Sequence, residues 1–315
     1  MVKIIIPQLI SLSFINAQIA LPTFQAMHTP QTLSSSSSLY DFTSHTFTNC
    51  GATGTTGPTL ANCKSSYDVS WEDNTDYFNV PNDGGIQYWT VPATGTYTIE
   101  AWGSKGGVGA TYSSYYVSQG GEGRKLKANF DLESGDVLKI LVGQSGENTS
   151  SGCCGAGGGG GGTFITYSDN TPIIVASGGN GGNWGYFVVD GPDGLFSNAG
   201  NTNGGSVNGR GASGAGLTGD GTNYSGTKGF SFTNGGAGGT TSYSSAGDGG
   251  FGGGGSGYHE GGGGGGYNGG TVVNTNSYNT EYPSYGAGSF TADNASSIVN
   301  IGTNDGIGKV IITKN

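Results

Sequence analysis

Alternation of apolar and polar residues marks the first ordered stretch of the chain. Ile86-Gln87-Tyr88-Trp89-Thr90-Val91 alternates, Pro92-Ala93-Thr94-Gly95 reads as a turn, and Tyr97-Thr98-Ile99-Glu100-Ala101-Trp102 alternates again. Tyr97, Ile99 and Ala101 then share one face, because strand side chains repeat every second residue. Arg124–Leu132 and Val137–Val142 form a second predicted pair, joined by Glu133-Ser134-Gly135-Asp136. From Gly143 to Gly270 glycine takes over, interrupted by the strand-like Pro172-Ile173-Ile174-Val175-Ala176. Strand character returns with Lys309-Val310-Ile311-Ile312-Thr313, and Gly308–Thr313 is expected to pair with Ile86–Val91 or Tyr97–Trp102. No segment keeps a 3.6-residue period over three turns. The pattern predicts an all-β scaffold whose first and last strands bracket a glycine-rich insertion.

Within that insertion lie three pure glycine runs, Gly157-Gly158-Gly159-Gly160-Gly161-Gly162, Gly252-Gly253-Gly254-Gly255 and Gly261-Gly262-Gly263-Gly264-Gly265-Gly266. Glycine loses more backbone freedom on folding than any other residue, so ordered runs of it need a compensating reason. Close backbone-to-backbone packing supplies one: extended helices of three residues per turn can lie side by side with nothing between them, and six residues at ~3.1 Å each span roughly 19 Å. The alternative is a flexible linker. Aromatic residues bracket the runs at Phe164, Phe251, Tyr258 and Tyr267, which favours order over the Gly/Ser texture of a linker.

Composition narrows the partners. The 67 glycines among 315 residues follow no Gly-X-Y register and come with only 9 prolines, which excludes collagen. A net charge of −10 with 11 basic residues excludes a phosphate-backbone binder. The 17 tyrosines suit contact with neutral partners, a glycan or a protein. Residues 1–38 read as an N-terminal arm ending in the serine hinge Ser34–Ser38, either an attachment segment or a weak signal peptide, with Ile4–Ile6 and Phe24 as its apolar contacts. Residues 39–315 read as one glycine-rich domain: scaffold 39–142, polyglycine insertion 143–270, variable loop and closing strand 271–315. No stretch approaches the roughly 20 apolar residues of a membrane span.

Several strings together resemble a known family. They are Thr46-Phe47-Thr48-Asn49-Cys50-Gly51-Ala52-Thr53-Gly54 with Gly57-Pro58-Thr59 and Cys63, Gln87–Tyr97, Gly135–Gly143, Gly157–Thr163, Gly261–Gly270 and Gly308-Lys309-Val310. In this order they are similar to the extracellular glycine-rich domain of the anaplastic lymphoma kinase and leukocyte tyrosine kinase receptors. The resemblance implies a β-sandwich with an inserted bundle of polyglycine helices. The kinase activity is not carried over, since no kinase motif is present. The same texture with a short polar arm also resembles glycine-rich structural proteins of marine bacteriophages and phage tail-tip adhesins. On that ground the first expectation is a non-enzymatic virion surface protein, tail- or capsid-associated, held to other virion or surface proteins by its arm and displaying a domain for host recognition. The alternative is a secreted or cell-surface ligand-binding domain of the receptor type.

Candidate chemistry is sparse. Cys50 and Cys63 flank a Gly/Thr/Pro turn, and Cys153-Cys154 precede the first glycine run. The four cysteines are compatible with two disulfides in three pairings or with free buried thiols. No metal site, cofactor or catalytic group is expected: Gly-x-Gly-x-x-Gly matches arise from composition alone, and no second histidine stands at a ligand spacing from His259-Glu260, which read as a solvated turn. Asp190 and Asp193 read as a plain turn rather than a calcium loop. Asn148, Asn223 and Asn294 fit the glycosylation sequon, which matters only in a secreted protein. Recognition is expected where bulky groups interrupt the glycine lattice: Trp184, Tyr186, Phe187 and Phe196 in an outward-facing loop, Tyr112 with Tyr115 and Tyr116, and Tyr278 with Tyr282 and Tyr285. The competing expectation is that these aromatics pack inward and cap the lattice.

Overall fold

A computed structural model describes residues 38–112, 117–149, 155–197, 202–274 and 284–315. Ile4–Ile6, Phe24, Tyr115, Tyr116, Cys153, Cys154, Tyr278 and Tyr282 lie outside the described residues, as does most of the serine hinge.

Among the described residues the chain is mainly β. One sheet orders its strands Ser44–Phe47, Lys309–Lys314, Gly95–Trp102, Gly123–Leu132 and Ser296–Asn304. A second orders Phe290–Thr291, Pro172–Ala176, Thr163–Tyr167, Val137–Leu141, Gln87–Thr90 and Phe78–Asn79. The alternation read from the sequence sets the faces: Tyr97, Ile99 and Ala101 are fully buried, and Thr98, Glu100 and Trp102 between them are half-buried. Both sheets contribute to one apolar core, in which Phe47, Tyr97, Ile99, Leu126 and Ile312 of the first join Trp89, Leu138, Ile140 and Ile165 of the second.

Turns are fixed locally. The buried Tyr97 hydroxyl donates to the Ala93 carbonyl at 2.6 Å across the Pro92–Thr94 turn. At the next turn Gly135 takes a φ of +91°, a left-handed conformation that a side chain would strain. The closing strand pairs with Gly95–Trp102, Lys309 opposite Trp102 and Lys314 opposite Tyr97, and its other edge pairs with Ser44–Phe47. Of the two partners considered for it, the second holds, and Ile86–Val91 belongs to the other sheet.

Three elements depart from the sequence reading. Leu60–Ser66 is a helix of seven residues, too short to display a period over three turns; Thr59 accepts from the Asn62 amide and Asn62 from the Thr59 amide, at 3.1 and 3.0 Å, forming a capping box. Thr163–Tyr167, directly after the first glycine run, is a strand of the second sheet. The nine-residue edge strand Ser296–Asn304 hides its period because nearly all of it is exposed on both faces.

The glycine-rich stretches hydrogen-bond to one another with a repeat of three. Gly157 and Gly160 donate to Gly182 and Gly179, Gly158 and Gly161 to Glu147 and Gln144, and Gly159 and Gly162 to Gly255 and Gly252, all at 2.8–3.0 Å. Their carbonyls serve further segments: Gly157 and Gly160 accept from Gly262 and Gly265, and Gly158 and Gly161 from Gly107 and Ser104. Sheet pairing repeats every two residues, so this is not a sheet. A Cβ on any of Gly157–Gly161 would fall against a neighbouring backbone carbonyl, including those of Gly107, Asp248, Gly263 and Phe251. In this run glycine is required for the missing side chain. Gly252 and Gly253 differ, with φ of +103° and +82°: they turn the chain after Phe251, while a Cβ on Gly252, Gly254 or Gly255 would still fall against a neighbouring backbone carbonyl.

Bracketing aromatics pin these stretches to the second sheet. Phe164, Phe232 and Phe251 are buried with Leu141, Val175 and Leu217; Phe164 stacks on Phe232 at 5.2 Å and Tyr267 on Phe290 at 4.4 Å. A flexible linker has no such buried anchors.

Candidate functional site

Side chains reappear where the close-packed segments end. Tyr112 donates its amide to Gly185 at 2.9 Å, and Trp184 donates its amide to His259 at 2.8 Å. Three segment ends are thereby brought together at Tyr112, Trp184–Tyr186 and Tyr258-His259. No Cβ fits on Gly157–Gly161, and buried residues that interrupt the neighbouring glycine segments, Asn180, Ser213, Ala215 and Ser256 among them, are small; the rings of Tyr112, Trp184 and Tyr258 stand at the segment ends.

The rim is a chain of rings. Tyr186 stacks on Tyr112 at 4.8 Å, Tyr112 meets Trp184 edge-on at 6.2 Å, and Trp184 meets His259 edge-on at 4.9 Å. His259 continues to Tyr258 at 4.5 Å, and Tyr258 stacks on Tyr243 at 4.0 Å. Such pairs each contribute about 0.5–1.5 kcal/mol beyond their buried area. Tyr112, Tyr186 and Phe187 are exposed, at 62%, 49% and 52%. Trp184 is not: it is 9% exposed and packs on Ala110 and Ala156. The expectation that Trp184 faces outward is therefore corrected, because a large indole beside two small residues fills the space the lattice leaves at its end. Its Nε1 and the His259 Nδ1 are buried with no hydrogen-bond partner among the described residues. Burial, and after it the charge of Arg210, hold the His259 pKa below the ordinary value.

Sequence reasoning singled out Tyr112, Trp184 and Tyr186, and the structure brings them together. It missed Tyr243 and the aromatic roles of Tyr258 and His259, whose only signal was the aromatic flank of a glycine run. Phe196 and Tyr285 stand elsewhere. Phe196, 46% exposed, lines a cleft of about 270 Å³ with Phe290 and Ile298. Tyr285, 67% exposed, is held by a backbone bridge to Thr271.

The polar candidates resolve into structural roles. Glu260 is buried rather than solvated, its Oε2 accepting the Arg210 amide at 2.7 Å; that carboxylate ties together two segments 50 residues apart. Asp190 and Asp193 accept the amides of Gln119 and Glu122 at 2.6 and 2.7 Å, tying their turn to the neighbouring segment. Among the described residues no group of three His, Cys, Asp or Glu could hold a metal ion. Cys50 and Cys63 are joined by a disulfide, Cα to Cα 4.9 Å, which fixes the helix Leu60–Ser66 to the end of the first strand. No helix among the described residues is long and apolar enough to cross a membrane.

Sequence comparison indicates what kind of protein carries similar chain. No family model matches. The chain is 40% identical over 106 residues to the leukocyte tyrosine kinase receptor of Mus musculus. That similarity covers 34% of this chain and 11% of the receptor, so the chain matches about a tenth of the curated relative's length.

Proposed function

We propose that this protein is a non-enzymatic, extracellular or cell-surface ligand-binding domain of the anaplastic lymphoma kinase and leukocyte tyrosine kinase receptor type, without kinase chemistry. The similarity to the leukocyte tyrosine kinase receptor carries this reading. The Cys50–Cys63 disulfide supports it, since such bonds persist in oxidising compartments. A virion role, the first expectation from the sequence, draws no support from these findings.

The architecture that serves this role is a β-sandwich holding a bundle of polyproline-II-like glycine helices. The three-residue hydrogen-bond repeat of Gly157–Gly162 supports it, because such a helix has three residues per turn and turns each successive amide to a different neighbour. The bundle makes a stiff platform, and Tyr112, Tyr186 and Phe187 offer a protein or glycan ligand large contact area at low entropic cost. Trp184 positions them from below.

The test is retention. The immobilised domain is exposed to secreted proteins and released glycans of the cells that make it, beside a Tyr112→Ser/Tyr186→Ser/Phe187→Ser variant. Wild type retains a ligand that the variant releases at least about tenfold faster, as expected when aromatic anchors dominate binding. Equal retention by both removes the aromatic rim from the function.

A further inference from the structure

One end of the outward face of the five-stranded sheet carries a charge opposed to that of the whole molecule, while Asp131 stands at the other end of the same face. Lys309, Trp102 and Lys125 are directly opposite one another on three neighbouring strands. Both lysines lie on the indole of Trp102, their Nζ atoms 3.6 and 4.2 Å from the ring centroid. The two ammonium groups are therefore no more than about 8 Å apart. Neither has a carboxylate partner among the described residues, although the chain holds 21 acidic groups.

The next row on this face is Ile311, Glu100 and Lys127, with Lys127 paired to Glu100 at 3.0 Å. Beyond it lie Thr313, Thr98 and Asn129, where the Thr98 hydroxyl donates to the Asn129 amide oxygen at 2.8 Å. Trp102, Lys125, Lys127, Asn129, Lys309 and Thr313 are all partly exposed, so among the described residues no element covers the face completely.

We propose that this face binds a linear anionic polysaccharide, its sulfate or carboxylate groups on Lys125 and Lys309 and its hydroxyls along the Thr98–Asn129 row. Charge complementarity selects the occupant. Two cations held side by side leave a positive site that an anion relieves, and the ring keeps them in place without neutralising them. An anionic membrane would face the whole molecule and its net charge of −10, whereas a single glycan strand meets only this face. Duplex nucleic acid, with one charge per about 1.7 Å of axis, would set a dense row of phosphates against the same net charge. The proposal does not depend on the aromatic rim.

The probe is dextran sulfate, with uncharged dextran of equal length as control, titrated by calorimetry at low and at high salt. Wild type binds the sulfated chain only, and more weakly at high salt. Lys125→Gln/Lys309→Gln weakens binding at least about tenfold (about 1.4 kcal/mol), Lys125→Arg/Lys309→Arg preserves it, and Lys64→Gln, in the helix Leu60–Ser66 and paired to Asp73, leaves it within about twofold. Thermal unfolding checks that the glutamine variant is folded; should it not be, the single variants Lys125→Gln and Lys309→Gln decide, each expected to weaken binding at least about threefold. The proposal is overturned if wild type ignores dextran sulfate, if a folded glutamine variant binds as wild type does, or if phosphatidylserine vesicles bind and the polysaccharide does not.

Discussion

The amide of Gly159 donates to the carbonyl of Gly255 at 2.8 Å, joining two glycine runs that lie nearly a hundred residues apart in the chain. That bond can form only if nothing stands between the two backbones. A Cβ on Gly159 would fall against the Gly263 carbonyl, and one on Gly264 against that of Gly178. Gly159→Val and Gly264→Val are each expected to cost more than about 4 kcal/mol, with loss of the folded monomer, because packed backbones cannot yield as a side chain can. Gly306→Ala is the control, since its nearest neighbour would be 3.9 Å away. Thermal unfolding of the three variants separates a packed lattice from a tolerant linker.

Lys309–Lys314 stands between Ser44–Phe47 and Gly95–Trp102, so its removal opens two strand edges at once. Truncation after Gly306 is expected to abolish the monomer and promote aggregation through the exposed edges. A finer change, Ile312→Ala, deletes a fully buried side chain from the shared core and is expected to cost about 2–5 kcal/mol. Size-exclusion chromatography reads the first and urea unfolding the second.

What could be read beforehand followed from period and from sterics. Tyr97, Ile99 and Ala101 announced their common face because alternate positions were apolar. Ser296–Asn304 did not, since Ile298, Val299 and Ile301 stand exposed on an edge strand that buries neither face. Residues 157–162 advertised close packing through composition alone, but the partners of each glycine depend on which distant segments arrive beside it, and local sequence carries no record of that. Trp184 was singled out as an aromatic interruption of the lattice. Its inward direction depends on Ala110 and Ala156, brought against it from two other segments.

Acid is expected to destabilise the fold through His45. Its ring lies among Phe47, Tyr67 and Trp71 at 4.5–4.9 Å, and burial pushes its pKa down to about 4 from an ordinary 6.5. The folded state therefore resists a proton that the unfolded chain accepts. Stability from this group is complete above about pH 6.5 and falls as pH drops from there towards about 4, by on the order of 2 kcal/mol after solvent screening. Asp220, whose burial penalty is outweighed by hydrogen bonds from Ser231, Asn234 and Lys228, adds a second loss between its ordinary 3.8 and about 2. Urea midpoints measured from neutral pH to pH 4.5 exclude Asp220 and report His45 together with His259, whose pKa burial also holds low. His45→Phe is expected to flatten that slope, and an unchanged slope would remove His45 as its cause.

Trp184 and its exposed neighbours should separate cleanly into support and contact. Trp184 is nearly buried against Ala110, Ala156 and His259, so Trp184→Ala leaves a void at the lattice end and is expected to cost about 3–5 kcal/mol. Tyr112 and Tyr186 lie outside it, stacked on each other at 4.8 Å with much of both rings in solvent. Serine at Tyr186 gives up one exposed stack, roughly 0.5–1 kcal/mol of stability, and serine at Tyr112 also gives up the edge contact with Trp184, roughly 1–2 kcal/mol in all. If the rim is a binding surface, ligand affinity runs the other way: the tyrosine variants lose it while still folded. Trp184→Phe, which keeps a ring against the alanines, should recover most of the stability and most of the binding together. Paired measurements of unfolding and retention on these four variants decide the matter. A tyrosine variant that lost stability as Trp184→Ala does would make the whole ring chain a structural cap.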